Sequence, residues 1–211
     1  MNAASTPFTA VGPVMEMHRG RIVRIATQLM RRADGGEQMF EFAERAPGVR
    51  ILVVHEDAIL LTREWRPETA SWDYRLPGGK VFDTLPEYLA HREALAEAPD
   101  AVAIPAAQRE LREEAGLELP LTSFTMLHRS VCGTTMVWDL YYYIARPKVV
   151  TERARHIMSA EGEETFTHWT SIEDVLKRCL DGTIQEDRTA AVLLRFCLRP
   201  AMPESETTVF A

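Results

Sequence analysis

The sequence predicts a mixed α+β domain, an α/β arrangement in which helices pack on a sheet. Three observations carry this reading. Short apolar or alternating runs with strand character fill the first third of the chain. One glutamate-rich amphipathic segment, ending in Arg109-Glu110-Leu111-Arg112-Glu113-Glu114-Ala115-Gly116-Leu117, stands in the middle. Two further strand-like runs then lead into two helical segments. No internal repeat or low-complexity segment interrupts this order.

Taken from the amino terminus, residues 1–20 mix Pro, Ala, Thr and Met without a period and are expected to form a flexible arm. A single domain is expected over residues 21–200. It opens with a strand pair at 21–46, Arg21 to Arg32 and Gln38 to Ala46, turning at Asp34-Gly35-Gly36. Val49 to Val54 and Ala58 to Thr62, separated by His55-Glu56-Asp57, read as a second hairpin. Glu64-Trp65-Arg66-Pro67 then leads through Trp72 and Tyr74 into Leu76-Pro77-Gly78-Gly79-Lys80-Val81. Glycines in such a turn let a ligand or another backbone approach closely.

Leu85 to Ala98 sets Leu85, Leu89 and Leu95 among charges and predicts a surface or mobile helix. Pro105 is suited to start the next helix, because its missing N–H costs nothing in a first turn. Gly116 is placed to end that helix in a left-handed conformation. Phe124 to Cys132 and Met136 to Ala145 are the following strands, joined by Gly133-Thr134-Thr135. A polar loop and a short strand at Thr165 to Thr170 come next. Ser171 with Asp174 starts a helix that Gly182 stops, and the last helix covers about Asp187 to Leu198. Residues 201–211 are left as a tail.

At 211 residues and 46% hydrophobic, the chain can bury a sizeable core but not two independent domains. A net charge of -7 argues against broad attraction to nucleic acid or to anionic membrane. The expected partner is a small molecule. Cys132, Cys179 and Cys197 are an odd number without metal-ligand spacing, which fits reduced thiols in the cytoplasm. No apolar run approaches the roughly 18 to 20 residues that span a bilayer.

The central segment carries the chemistry. Glu110, Glu113 and Glu114 stand at i, i+3 and i+4, so their carboxylates converge on one helix face and repel unless something neutralises them. Alone, such a face is most often a solvated one. With a glycine turn upstream, an all-oxygen ligand cluster without His or Cys favours Mg²⁺, with Mn²⁺ possible, over Zn²⁺.

Together the glycine turn and the glutamate segment resemble the Nudix box, G-x5-E-x7-R-E-U-x-E-E-x-G-U, with U aliphatic. The second half matches at every fixed position. In the first half, Gly79 lies 30 residues before Arg109 where the pattern has 14, and the position eight before Arg109 is Ala101 rather than Glu. This reads as a 16-residue insertion at about 82–103. Glu87, Glu93 or Glu97 could stand in for the displaced Glu.

The resemblance implies an α/β/α sandwich and a metal-dependent pyrophosphohydrolase. It implies Gly79, Glu110 and Glu114 as metal ligands, Glu113 as an assisting carboxylate and Arg109 as a support. Beyond the box the chain is similar to the branch that hydrolyses ADP-ribose and other nucleoside diphosphate sugars. The similarity rests on Glu64-Trp65-Arg66, Ala106 to Leu111, Ser159-Ala160-Glu161-Gly162-Glu163-Glu164 and Asp181-Gly182-Thr183-Ile184.

That branch implies Glu161 as general base and Glu163 as a further metal ligand, with Glu164 as the alternative. Arg66, Arg75 and Gly78 are the expected substrate contacts. Arg75 stands where the branch often has Glu, which either removes a metal contact or adds a phosphate contact. A homodimer built on residues 21–46 is also implied, with Phe40, Phe42 or Trp65 near the base. A nucleotide-sensing module without turnover, and a hydrolase of nucleoside triphosphates or dinucleotide polyphosphates, remain open.

Overall fold

The computed structural model describes residues 6–133, 135–150, 154–158 and 164–199. Eleven strands and four helices are present among them. The strands are β1 (Phe8–Arg19), β2 (Val23–Arg32), β3 (Glu37–Arg45), β4 (Gly48–His55), β5 (Ala58–Arg66), β6 (Ser71–Arg75), β7 (Thr125–Ser130), β8 (Met136–Val137), β9 (Leu140–Ala145), β10 (Ala154–Met158) and β11 (Glu164–Ser171). The helices are α1 (Leu85–Glu97), α2 (Pro99–Ala115), α3 (Ile172–Leu180) and α4 (Asp187–Cys197).

The larger sheet runs β10-β11-β5-β4-β9-β7, with β6 added along β5; the smaller runs β1-β2-β3-β8. Alternation along β4 shows how the larger sheet divides the interior. Val49, Ile51 and Val53 enter a core with Tyr141, Tyr143 and the α2 residues Ala103, Ala107 and Leu111. Leu52 and Val54 enter a second core with Tyr142, Val175 of α3 and Leu193 of α4. Both faces of the sheet are therefore covered by helices, which is the mixed α+β sandwich. No helix among the described residues is long and apolar enough to cross a membrane, and the three cysteines are free thiols.

Several elements depart from the sequence expectations. The amino-terminal arm is instead a twelve-residue strand, β1, antiparallel to β2. It lies at a sheet edge with nearly every residue exposed, so burial imposes no period on its sequence. The long strand expected at Met136 to Ala145 is split. β8 pairs with β3 in the small sheet and β9 with β4 in the large one, the chain changing sheets at Trp138-Asp139. β10 stands where a loop was expected, and β6 in a stretch given no element.

The glutamate helix also starts earlier than expected. Pro99, not Pro105, occupies its first turn, and Pro105 lies inside α2. An internal proline leaves the carbonyl four residues back without its helical donor. Here that carbonyl belongs to the exposed residue Ala101, where water can replace the missing N–H. Residues 82–103 thus form α1 and the opening of α2. Thr84 caps α1 by accepting the Glu87 N–H, and the Glu87 carboxylate accepts the N–H of Asp83, the residue before the cap, at 3.1 Å.

Candidate active site

β4 and β5 pair only at Val54↔Ile59 and His55↔Ala58, then diverge. The glycine turn fills the gap. Ile51 N–H donates to Pro77 O at 2.8 Å, Val49 N–H to Gly79 O at 2.9 Å, and Val81 N–H to Pro47 O at 3.0 Å. Both glycines are needed for this fit. Gly78 has φ +150°, and a Cβ there would overlap the Val49 carbonyl oxygen and lie 2.9 Å from Arg50 Cα. A Cβ on Gly79 would land in the carboxylate of Glu110.

The glutamates arrive from the other side. Leu111 and Ala107 anchor α2 in the core, so Glu110 and Glu114, one turn apart, face the glycine loop. Glu114 accepts the Gly78 N–H at 2.8 Å. Arg109 donates to Glu110 at 3.1 Å and to the Lys80 carbonyl at 3.0 Å. Glu113 is the outlying member of the expected trio: it is exposed, 3.7 Å from Arg112.

A third carboxylate enters from the sheet. Thr62 and Glu64 alternate with the opposite-facing Leu61 and Arg63 on β5, and Thr62 donates to Glu64 at 2.8 Å. Burial pushes the Glu114 carboxyl well above its ordinary range; the charges of Glu64 and Glu110 push it further, against the Gly78 hydrogen bond and the Arg50 cation. Glu110 is also raised, chiefly by burial, with Arg109 opposing. The arrangement holds more negative charge than its surroundings neutralise.

The NUDIX domain family model matches residues 44–190. The chain belongs to that family. No curated protein among those compared matches it. A solved structure described as an ADP compounds hydrolase superposes with a TM-score of 0.65 at 18% identity, over 94% of this chain and 95% of that one. At that identity the likeness speaks for the fold. It shows a Nudix fold over nearly the whole chain.

Within the Nudix frame, the position of the box arginine is informative. Glu87 is engaged at the start of α1, accepting the Asp83 N–H, and Glu93 and Glu97 are exposed. Arg109 is held instead by its own neighbour Glu110 and by the backbone of the glycine loop.

The expected substrate arginines are both engaged in ion pairs. Arg66 contacts Glu68 at 2.9 Å and Glu64 at 3.4 Å. Arg75 contacts the buried Asp73 at 2.9 Å, and Asp73 also accepts the Gln185 N–H from the Asp181-Gly182-Thr183-Ile184 turn. Asp73 thus ties β6 to the segment before α4, and Arg75 is paired with it within β6. Glu161 and Glu163 lie outside the described residues, while Glu164 begins β11.

Among the described residues, no three His, Cys, Asp or Glu side chains form a ready-made metal cage. The donor chemistry nevertheless suits a hard cation. Glu110, Glu114 and Glu64 offer only oxygen ligands, and the Glu114 carboxylate has one backbone donor against two neighbouring negative charges. The Gly79 carbonyl accepts the Val49 N–H, leaving one oxygen lone pair uncommitted. Glu64 was missed as a site residue although it stands in the Glu64-Trp65-Arg66 segment; strand alternation directs it toward α2, but its partner there is 50 residues away in sequence.

Proposed function

We propose that this Nudix protein hydrolyses the pyrophosphate linkage of a nucleoside diphosphate joined to a sugar-like group, such as ADP-ribose, to a nucleoside monophosphate and a sugar phosphate. The observation that carries the reading is the convergence of Glu110 and Glu114 on the Gly78-Gly79 loop beside Glu64. Glu110, Glu114 and Glu64 would hold Mg²⁺ or Mn²⁺, with Gly79 and Glu163 as further candidates. The cation would neutralise charge developing at the attacked phosphorus.

The protein groups divide the remaining work. Glu161 is assigned to accept the proton of the attacking water, with Glu164 as the alternative, and Glu113 assists at the exposed rim. As the water oxygen bonds to phosphorus, the bridging P–O bond breaks and the leaving phosphate takes the electron pair. Arg109 keeps Glu110 and the Lys80 carbonyl in register. Gly78 places its N–H on Glu114 while keeping the loop against β4.

A panel of ADP-ribose, other nucleotide sugars, nucleoside triphosphates and dinucleotide polyphosphates, with products resolved, tests the assignment. Mg²⁺-dependent release of a nucleoside monophosphate and a sugar phosphate, abolished by EDTA, is expected. Pyrophosphate or orthophosphate released from triphosphates alone would change the substrate class. One feature favours a second reading, a nucleotide-sensing module: Glu110 compensates Arg109, where the box pattern supplies a separate upstream Glu. Saturable nucleotide-sugar binding without turnover would establish it.

A homodimer through the β1-β2-β3-β8 sheet is part of the proposal. That sheet exposes Met15, Met17 and Met39, and Phe40 on the opposite face from its neighbour Met39. Phe40 packs on Phe8, and exposed Trp65 packs on Trp72; these are the aromatic residues proposed for the base. Light scattering at micromolar concentration should give twice the chain mass of 23.9 kDa. A monomeric mass would exclude this dimer.

A further inference from the structure

Four arginines that are not exposed meet a carboxylate: Arg24 pairs with Glu44, Arg75 with Asp73, Arg66 with Glu64 and Glu68, and Arg109 with Glu110. Arg63 and Arg178 stack on Tyr74 instead. Arg45, Arg50 and Arg188 likewise make no ion pair among the described residues. Arg45 ends β3, Arg50 lies in β4 beside the glycine turn, and Arg188 lies in the first turn of α4. The fold nevertheless gathers Arg45 and Arg188 around Trp138. The guanidinium carbons of Arg45 and Arg188 lie 4.3 and 4.8 Å from its ring centroid.

Their polar atoms are left unsatisfied. Six buried side-chain nitrogen or oxygen atoms among the described residues lack a hydrogen-bond partner; four are Arg45 Nε, Arg50 Nε, Arg188 Nη1 and Trp138 Nε1. All four are donors, so the missing partner is an acceptor. Stacking on Trp138 offsets some of the cost of buried positive charge but accepts no N–H bond. Arg188 is also held in place, donating to Ser130 Oγ and Ser130 O at 3.1 Å each and leaving Nη1 free.

We propose that Arg45, Arg50, Arg188 and Trp138 form an anion-binding subsite that takes a phosphoryl group beside the glutamate cluster. Guanidinium forks match phosphate oxygens, and a phosphate can accept from several donors at once. Arg50 joins the two regions: its charge acts on Glu110 and Glu114 on one side and on Arg45 on the other. Burial and mutual repulsion from Arg50, Arg66 and Arg188 already lower the affinity of Arg45 for its proton, a penalty that a bound anion relieves. A substrate reaching both regions has its metal-bound pyrophosphate over the carboxylates and a phosphoryl group in the cradle. The phosphoryl assignment rests on the proposed hydrolysis; the affinity of the cradle for anions does not.

Calorimetric titration of the full-length protein in EDTA with inorganic phosphate and with AMP separates the two. Saturable binding is expected, weakened about tenfold or more by Arg45→Gln and by Arg188→Gln, less by Arg45→Lys, and unchanged by Arg31→Gln at an exposed pair with Glu37. Tighter binding of AMP than phosphate assigns the cradle to a nucleotide; equal binding assigns it to free phosphate. The wild-type titration needs no variant, and Arg45→Lys serves if a glutamine variant fails to fold. Wild-type protein that takes up neither probe at about millimolar concentration, or glutamine variants that bind as wild type does, would overturn the subsite. Arginine-dependent phosphate binding without hydrolysis of any panel member would retain the subsite and remove the proposed reaction.

Discussion

Glutamine at position 114 is expected to lower Mg²⁺-dependent hydrolysis of ADP-ribose by at least about a hundredfold while leaving the metal-free protein as stable as wild type or more stable. Both effects come from one feature. Glu114 is a half-buried residue whose carboxylate is flanked by Glu64 and Glu110, with the Gly78 N–H as its hydrogen-bond donor. An amide oxygen can keep that bond but brings no charge to a cation. In an unfolded chain Glu114 titrates near 4.5, whereas in the folded chain burial moves it well above that value.

Between those two values the folded state holds the extra proton, so stability falls as pH rises. The contribution is fully present below the unfolded value and lost on passing through the folded one. Glu110, raised in the same direction, adds to the slope. Denaturation in EDTA at several pH values above 4.5 should therefore show wild type losing stability with increasing pH and Glu114→Gln losing less. Full activity in the variant would remove Glu114 from the metal set.

Alanine at Gly78 and at Gly79 should fail in different ways. Gly78→Ala is expected to cost about 3 kcal/mol of stability and to abolish activity, because its φ of +150° is strained for any side chain and the new Cβ meets the backbone of β4. Backbone in a buried strand cannot step aside. Gly79→Ala meets instead the end of the Glu110 side chain, which can rotate away. It should retain most of the stability and lose activity by displacing a metal ligand. Melting curves and initial rates on the same preparations check both. A Gly78→Ala protein with wild-type stability would show that the loop does not need this close approach to β4.

The box helix shows what could and could not be read from the sequence. Spacing alone put Glu110 and Glu114 on one face and Gly116 at a left-handed end, where it has φ +63°, but it also drew in Glu113, which lies exposed beside Arg112. Those features depend on residues within one or two turns. The helix start was misplaced because two prolines compete for it. Either can occupy a first turn, and only the packing of Ala103 and Val102 against the core selects Pro99. Strand β1 escaped for a related reason: hydrogen bonds to β2 rather than burial hold it, and such bonds leave no hydrophobic pattern.

By itself the sequence determined the mixed α+β class, the two hairpins at residues 21–62, the glycine turn and the acidic helix, since each is encoded in a local period or a residue with special backbone freedom. Only the tertiary structure decided which charges meet. It brought Glu64 to Glu114 across 50 positions and gathered Arg45 and Arg188 around Trp138 with donors unsatisfied. Charge–charge interactions between distant segments carry no sequence period. They arise where strands diverge and the chain changes sheets, and these depend on the packing of the whole domain.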